Sequence, residues 1–271
     1  MMYILKIILT ATLFFVLNGI RVAIAQVSFH PVVGFAATNI LNRNEKEEAV
    51  YAHKLHGYPS FGLLVDVGGE GARFTTGLQY VQYGRTLEFM SPQEGPTEDH
   101  VIGGTMYHCD VTVEGTASKT SSLQYIGLPL MLKYLGKSPK IKFYAAGGFQ
   151  VSYLAGSSFT SSTNYVKTFS ASAGSDQESS FSENSGSYRE QLNTITIAAV
   201  ADGGIQIPLN YKTAFTIGPH IEYGIADAYK KQPSYIDFWN QEQAYLPYKT
   251  FSIGITAGVI FTIDRRHTKV R

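Results

Sequence analysis

Apolar and polar residues alternate with a period of two along much of this chain. From Tyr211 to Ile225 the odd positions hold Tyr, Thr, Phe, Ile, Pro, Ile, Tyr and Ile, whereas the even positions hold Lys, Ala, Thr, Gly, His, Glu and Gly. The segment from Phe251 to Ile263 repeats the pattern. Because alternate side chains of a strand point to opposite faces, both segments are predicted strands rather than helices.

Eight segments can be read as strands, and their connections alternate between short and long. The strands are residues 27–37, 61–67, 73–88, 122–134, 141–155, 193–207, 211–225 and 251–263; the tight turns are 68–72, 135–140 and 208–210, and the long loops are 38–60, 89–121, 157–192 and 226–247. Short turns at one rim and long loops at the other are typical of outer-membrane barrels. We therefore predict an all-β fold, an eight-stranded antiparallel transmembrane up-and-down β-barrel with short periplasmic turns and long extracellular loops.

The two faces of the predicted strands differ in size and polarity. Large apolar residues such as Phe215, Ile253 and Ile197 are predicted to face lipid, and small residues to fill the narrow interior of an eight-stranded barrel. Aromatic residues near strand ends are predicted to form interfacial girdles, with ordinary sheet packing as the alternative; they are Tyr125, Tyr134, Tyr144, Tyr153, Tyr211, Tyr223, Tyr248 and Phe261. Pro129 and Pro219 cannot donate to a ladder, so a bulge is expected near each. A soluble sandwich of two stacked sheets is the alternative fold.

The beginning of the chain has the features of an export signal. Residues 7–17 are apolar, and Ala23-Ile24-Ala25 matches a small-x-small cleavage site. The run is shorter than the roughly 20 residues that a membrane helix needs, which argues against an anchor. We expect a signal peptide over 1–25, a barrel domain over 26–264 and a basic tail over 265–271, with localisation in the cell outer membrane.

Composition narrows the function classes. The net charge is +1, which gives no electrostatic basis for binding nucleic acid. Charged residues make up 16% and hydrophobic residues 44% of the chain, whereas soluble domains average about 25% charged residues. This balance favours a protein whose wall faces lipid. Cys109 is the single cysteine, so no intrachain disulfide is expected.

Two neighbouring segments carry a family resemblance. Residues 123–134 read LQYIGLPLMLKY, and after a short turn residues 142–148 read KFYAAGG. Together they resemble the PorT-like outer-membrane β-barrel family of the Bacteroidetes, whose members often show I-P-L-L-L-K-Y followed by K-P-Y-x-G-x-G. The resemblance implies an eight-stranded barrel in the outer membrane. The family's namesake is tied to a protein-secretion and gliding machine, which implies secretion proteins as partners, whereas most other members have no defined activity. It carries over no catalytic residue.

Seven polar side chains are predicted to face the barrel interior and to form a network there. They are Asp66, Arg73, Gln79, Arg85, Asp202, His220 and Glu222. One interpretation is a lipid-hydrolase site in which His220 moves protons. The other, which we favour, is a set of paired charges that fills the interior, since buried charges need partners. No Gly-x-Ser-x-Gly motif occurs in the sequence, so no catalytic residue is predicted.

Two groups of loop residues are of the types that bind metals. His53, His56, His100, His108, Cys109 and Asp110 match no closed zinc spacing, and Asp176, Glu178 and Glu183 match no calcium loop. We predict no metal and no cofactor. The Ser-, Asn- and Gly-rich stretch 157–184 is expected to be a solvated, mobile loop.

The sequence thus favours a non-enzymatic envelope protein with a structural or adaptor role. Its expected partners are outer-membrane lipid and other envelope or secretion proteins. A lipid-modifying enzyme of the outer membrane is the second hypothesis. A small-solute pore ranks third, because eight strands leave little room for an aqueous channel.

Overall fold

The computed structural model describes residues 26–42, 51–69, 71–138, 140–187, 189–230, 234–236, 242–244 and 248–263. The predicted signal peptide and basic tail lie outside these ranges. The described strands are β1 (Gln26–Asn42), β2 (Tyr51–Gly68), β3 (Ala72–Phe89), β4 (Gln93–Ile102), β5 (Thr105–Leu135), β6 (Lys142–Ala171), β7 (Gly174–Gly186), β8 (Ile195–Pro208), β9 (Thr213–Gly224), β10 (Ser234–Ile236), β11 (Glu242–Ala244) and β12 (Tyr248–Ile263). Among the described residues, no helix has the length and apolar character to cross a membrane.

Ten strands form one antiparallel sheet, as expected for an all-β fold. Their order is β4-β5-β3-β2-β1-β12-β9-β8-β6-β7, and β5 also pairs with β6. The pairings β1–β2, β2–β3, β3–β5, β5–β6, β6–β8, β8–β9, β9–β12 and β12–β1 therefore run in a continuous cycle through eight strands. This cycle encloses an interior, and β10 and β11 form a separate hairpin.

The connections at one end of the cycle match the sequence prediction, and those at the other end do not. Tight turns join β2 to β3, β5 to β6 and β8 to β9. By contrast, three predicted loops, 38–60, 89–121 and 157–192, consist largely of strand. Residues 105–117 of β5 and 157–171 of β6 continue beyond the cycle, where β4 and β7 pair with them. We call this four-stranded extension the projecting sheet.

The prediction of a mobile Ser-rich loop over 157–184 is therefore wrong. Residues 159–171 pair with 174–186 through thirteen consecutive partners, and 110–123 pair with 157–170 without a register shift. Serine and threonine hydroxyls leave a backbone ladder intact, and Tyr165 and Phe169 supply apolar side chains to the buried cluster of the projecting sheet. Composition alone overestimated the solvation of this stretch.

Large apolar side chains cover the exterior of the cycle. Ile253 and Ile197 are 45% and 43% exposed, and Phe215 is half-buried, so these residues are not enclosed between two stacked sheets. Their predicted position on the outer face of the strands is confirmed. Two predicted girdle residues are wrong, because Tyr125 and Tyr144 are buried. Each shares its face of the strand with interior residues, and proximity to a strand end does not override that alternation.

The two prolines interrupt the ladder on one side without shifting the register. Thr76 pairs with Leu130 and Gln79 with Gly127, so the proline at 129 falls opposite Gly77. The pairs Asp202–His220 and Ile205–Ile217 likewise flank Pro219. The predicted bulges are therefore wrong. A missing N–H costs the ladder one bond, and Gly77, at φ +153°, accommodates the local distortion that a bulge was expected to absorb.

Candidate functional site

A buried ion pair lies in the part of the interior near the tight turns. The Lys133 ammonium donates to Asp66 Oδ2 at 3.0 Å, and the Thr75 hydroxyl donates to Asp66 Oδ1 at 2.6 Å. The side chains of Lys133 and Asp66 are 3% and 0% exposed. The Lys133 nitrogen also lies 5.0 Å from the centroid of the Tyr144 ring. Each charge is therefore compensated within the protein, as burial requires.

A second polar cluster lies further along the interior. His220 Nδ1 and Asp202 Oδ1 are 2.6 Å apart, and His220 Nε2 lies 3.7 Å from Glu222 Oε2. The Gln150 amide donates to Glu222 Oε1 at 2.9 Å. Strands β8 and β9 position these groups, because Asp202 pairs directly with His220 in their register. The structure thus brings Asp202, His220 and Glu222 together.

The other predicted interior residues are spread along the barrel. Arg73 lies at the turn end, where it donates to the Gly69 carbonyl, the Ser28 hydroxyl and the Gln26 side-chain oxygen. Gln79 lines the space between the two clusters. Arg85 lies near the opposite end, 5.1 Å from the Tyr248 ring centroid. All three are buried, so the seven residues fill the interior but do not converge on one site.

The space between the two polar clusters is small. A cavity of about 30 Å³ is lined by groups of both clusters, including Gln79, Lys133 and His220. Such a volume holds one or two water molecules. Among the described residues that line it, threonine is present but serine and cysteine are not. The arrangement can transfer a proton between His220 and a carboxylate, but it has no room for an acyl chain.

An apolar layer closes the interior at the end away from the tight turns. Its buried members are Ile40, Val81, Tyr83, Leu123, Tyr125, Leu154, Leu192 and Ala228. Leu192 and Ala228 come from connections between strands and are fully buried. The two connections bond to each other, since the Asn193 amide donates to the Ala228 carbonyl and its side chain donates to the Asp227 and Tyr229 carbonyls. We call this layer the apolar plug.

The projecting sheet has a hydrophobic cluster of its own. Phe89, Cys109, Val111, Val113 and Phe169 are buried in it. Cys109, one of the candidate metal ligands, is fully buried and packs within this cluster. The projecting sheet therefore has the buried core that a folded unit needs, and it presents a defined surface.

Polar contacts link the two edge strands of the projecting sheet to its centre and to each other. His100 on β4 stacks on Phe169 with ring centroids 3.8 Å apart, and its Nε2 lies 3.0 Å from Asp176 Oδ2 on β7. Lys167 on β6 contacts Glu98 at 2.6 Å. The histidines at 100 and 108 each contact a carboxylate, and His108 bonds Asp99 at 2.9 Å. These contacts hold β4 and β7 across one face of the sheet.

The pKa of Asp176 lies below its ordinary value of 3.8, chiefly because its carboxylate accepts a hydrogen bond from His100. A depressed pKa means that the contact stabilises the folded state at neutral pH and that this contribution is lost as the pH falls through the depressed value. We expect His100→Ala to raise the pKa of Asp176, measured by NMR titration of its carboxyl carbon. His108→Ala, which removes a histidine bonded elsewhere, is the control. An equal shift in both variants would contradict the assignment.

Sequence reasoning missed several interior groups. Lys133, Gln150 and His30 are buried beside the predicted network, and His30 Nε2 bonds the Thr216 hydroxyl at 2.8 Å. Lys133 could have been found from alternation, because it follows Met131 on the interior face of β5. Its apolar neighbours on both sides obscured that pattern. The odd or even position of a residue along its strand was thus a better guide to its burial than the residue type.

Comparison with solved structures returns matches at low similarity. Neisserial surface protein A shares 11% identity at a TM-score of 0.38, over 88% of this chain and 99% of that one. Ail, the attachment invasion locus protein of Yersinia pestis, shares 12% at 0.33, over 87% and 99%. The outer membrane protease OmpT of Escherichia coli shares 8% at 0.28, over 88% and 96%. Scores of this size carry no functional argument.

Sequence comparison assigns the family. No curated protein matches the chain. Residues 24–230 match the family described as "Outer membrane protein beta-barrel domain", a range that covers most of the ten-stranded sheet described above. The chain therefore belongs to this family of outer-membrane β-barrel proteins.

Proposed function

We propose that this protein is a non-enzymatic adaptor of the outer membrane, an eight-stranded transmembrane barrel that carries the projecting sheet outside the cell. The observation that carries the proposal is the contrast between the two parts. The barrel interior is occupied by ion pairs and closed by the apolar plug, whereas strand β7 of the projecting sheet is exposed along nearly its whole length. Loops and sheets that extend from a rigid scaffold are where recognition surfaces concentrate.

The orientation follows from the same architecture. The tight turns lie at the same rim as the start of β1 and the end of β12. In outer-membrane barrels this is the periplasmic rim. We propose that residues 1–25 direct export and are removed. The stretch 123–148 supports placement among the PorT-like barrels of the Bacteroidetes, and proteins of the envelope or of secretion machinery are then the partners.

A charge on the proposed lipid face tests the membrane placement. Leu128 is 43% exposed and lies midway along the part of β5 that belongs to the cycle. Leu128→Arg is expected to destabilise the protein in lipid vesicles by about 2–4 kcal/mol, as charges near the bilayer centre do. Equilibrium urea unfolding measures the change. The control is Thr116→Arg, an exposed position of the same strand in the projecting sheet, where arginine remains in water and should have little effect.

Crosslinking in native membranes tests the adaptor role. A photoreactive amino acid at Phe181, which is 72% exposed on β7, should capture one or a few envelope proteins. The same group at Leu132, 72% exposed on the wall, should capture lipid. Conductance of the purified protein in planar bilayers, or capture of lipid alone from both positions, would contradict the proposal.

One observation favours a second candidate, an enzyme that acts on lipid. The 2.6 Å contact between His220 and Asp202 is of the kind that orients a general base. If the pair is catalytic, deletion of the protein should alter the phospholipid or lipid A profile, and His220→Ala should reproduce that change. An unchanged profile would leave the pair a structural role.

A further inference from the structure

Strand β7 has one paired edge and one open edge. It pairs with β6 through thirteen partners from Gly174 to Gly186, and it pairs with no other described strand. Every residue of β7 is exposed except one, which is half-buried. Strand β4 approaches β7 at one end, where His100 contacts Asp176. The N–H and C=O groups along the outer edge are therefore available to another strand.

The opposite edge strand of the projecting sheet, β4, has features that block pairing with a further strand. Strand β7 has none of these features. Strand β4 has ten residues, and Pro96 removes one donor from it. Its pairing with β5 also shifts register between Gly95 and Glu98. Short length, proline and an irregular register are the devices by which proteins block edge pairing. Strand β7 has thirteen residues, no proline and no register shift.

The charge of β7 indicates what its open edge can accept. Asp176, Glu178 and Glu183 lie on it, and residues 174–186 contain no lysine, arginine or histidine. The carboxylates occur at both even and odd positions, so both faces of the strand are acidic. Two copies of β7 placed edge to edge would bring carboxylates together, which is unfavourable. A segment with basic side chains is complementary.

We propose that the open edge of β7 binds an extended, lysine- or arginine-bearing segment of a partner protein as an added strand of the projecting sheet. Main-chain hydrogen bonds supply the affinity in this mode of recognition, and side chains next to the added strand supply the specificity. Glu178 and Glu183 select basic residues, Asp176 being bonded to His100, and the exposed ring of Phe181 offers an apolar contact. The inference rests on the proposed adaptor function and names the chemistry of its partner.

A peptide of defined sequence tests the mode of binding. The probe is a fluorescent ten-residue peptide of alternating lysine and threonine, and the full chain is used in lipid nanodiscs. A second peptide has the same charge but prolines at two central threonines, so it cannot form a ladder. The first peptide should bind, the second should bind at least about tenfold more weakly, and hydrogen exchange should slow in residues 174–186. Equal binding of the two peptides, or protection elsewhere, would overturn the proposal.

Charge reversal tests the partner chemistry. Glu178→Lys with Glu183→Lys should weaken the lysine peptide about tenfold, because two cross-strand attractions become repulsions. Glu94→Lys with Glu114→Lys, at exposed carboxylates of β4 and β5, is the matched control and should change affinity less than about twofold. Equal losses in the two double variants would overturn the proposal. So would a dimer of the wild-type chain in sedimentation that the first double variant abolishes, since a second copy would then be the occupant.

The outcomes separate this inference from the adaptor function. Conductance or lipid hydrolysis by the purified protein contradicts the function, whatever the peptides do. Absence of peptide binding, with envelope proteins still captured at Phe181, overturns strand addition alone. The hydrogen-exchange measurement uses the wild-type protein and does not depend on the folding of any variant.

Discussion

Lys133→Met is expected to destabilise the barrel by about 3–5 kcal/mol, among the largest effects of a single substitution in this chain. The substitution removes the ammonium that lies 3.0 Å from Asp66 and leaves that carboxylate buried with the Thr75 hydroxyl as its remaining bonded donor. An uncompensated charge in a dry interior costs far more than the lost contact itself. Urea unfolding in lipid vesicles measures the loss, and heat-dependent migration on gels reports whether the barrel has formed.

The double variant distinguishes loss of compensation from loss of packing. Asp66→Asn with Lys133→Met removes both charges, so it should recover much of the stability lost in Lys133→Met. Lys54→Met serves as the control, because Lys54 pairs with Glu88 at 2.6 Å with side chains 59% and 43% exposed. Exposed pairs of this kind contribute about 0–1 kcal/mol. A double variant no more stable than Lys133→Met would show that compensation of Asp66 is not what the lysine provides.

Leu123→Ala is expected to cost about 2–5 kcal/mol, because it leaves a cavity in the apolar plug. Leu123 is fully buried among Tyr125, Leu154 and other plug residues. Leu132→Ala removes the same atoms from the same strand, but Leu132 is 72% exposed on the wall. Lipid chains can fill the space left there, so the cavity contribution is absent and the cost should be clearly smaller. Urea unfolding of both variants in the same vesicles compares the two.

Comparison of the stability lost in Leu123→Ala with that lost in Leu132→Ala shows which side of β5 faces the interior. If Leu132→Ala costs as much as Leu123→Ala, then the wall residue is packed against protein, and the assignment of the two faces is wrong. Leu123→Ala should also leave the bilayer conductance at its baseline, since the remaining plug residues still close the interior.

The outward-facing residues could be predicted from the sequence because alternation within a single strand is enough to identify them. Alternation in 211–225 and 251–263 assigns residues such as Phe215 and Ile253 to the exterior without reference to the rest of the chain. The same rule would have placed Lys133, Tyr125 and Tyr144 inside. They were missed because apolar neighbours hid the first and because position near a strand end was given more weight for the other two.

The projecting sheet could not be predicted in the same way. Its hydroxyl-rich strands have weak alternation, and their place in the sheet is set by pairings such as Val111 with Phe169, which join residues far apart in sequence. The partners of the interior charges were hidden for a related reason. Asp66 and Lys133 are separated by 67 positions, and the barrel register that brings them together depends on every strand between them.

The length of β5 and β6 has a mechanical consequence. Strand β5 runs unbroken for 31 residues and β6 for 30, so this hairpin is about 100 Å long at 3.3 Å per residue. Its one register shift, between Gln124 and Tyr125, falls at the level of the apolar plug. The projecting sheet is therefore joined to the cycle by two unbroken strands and not by a hinge loop. A displacement of its outer tip would have to bend the ladder between β5 and β6 itself.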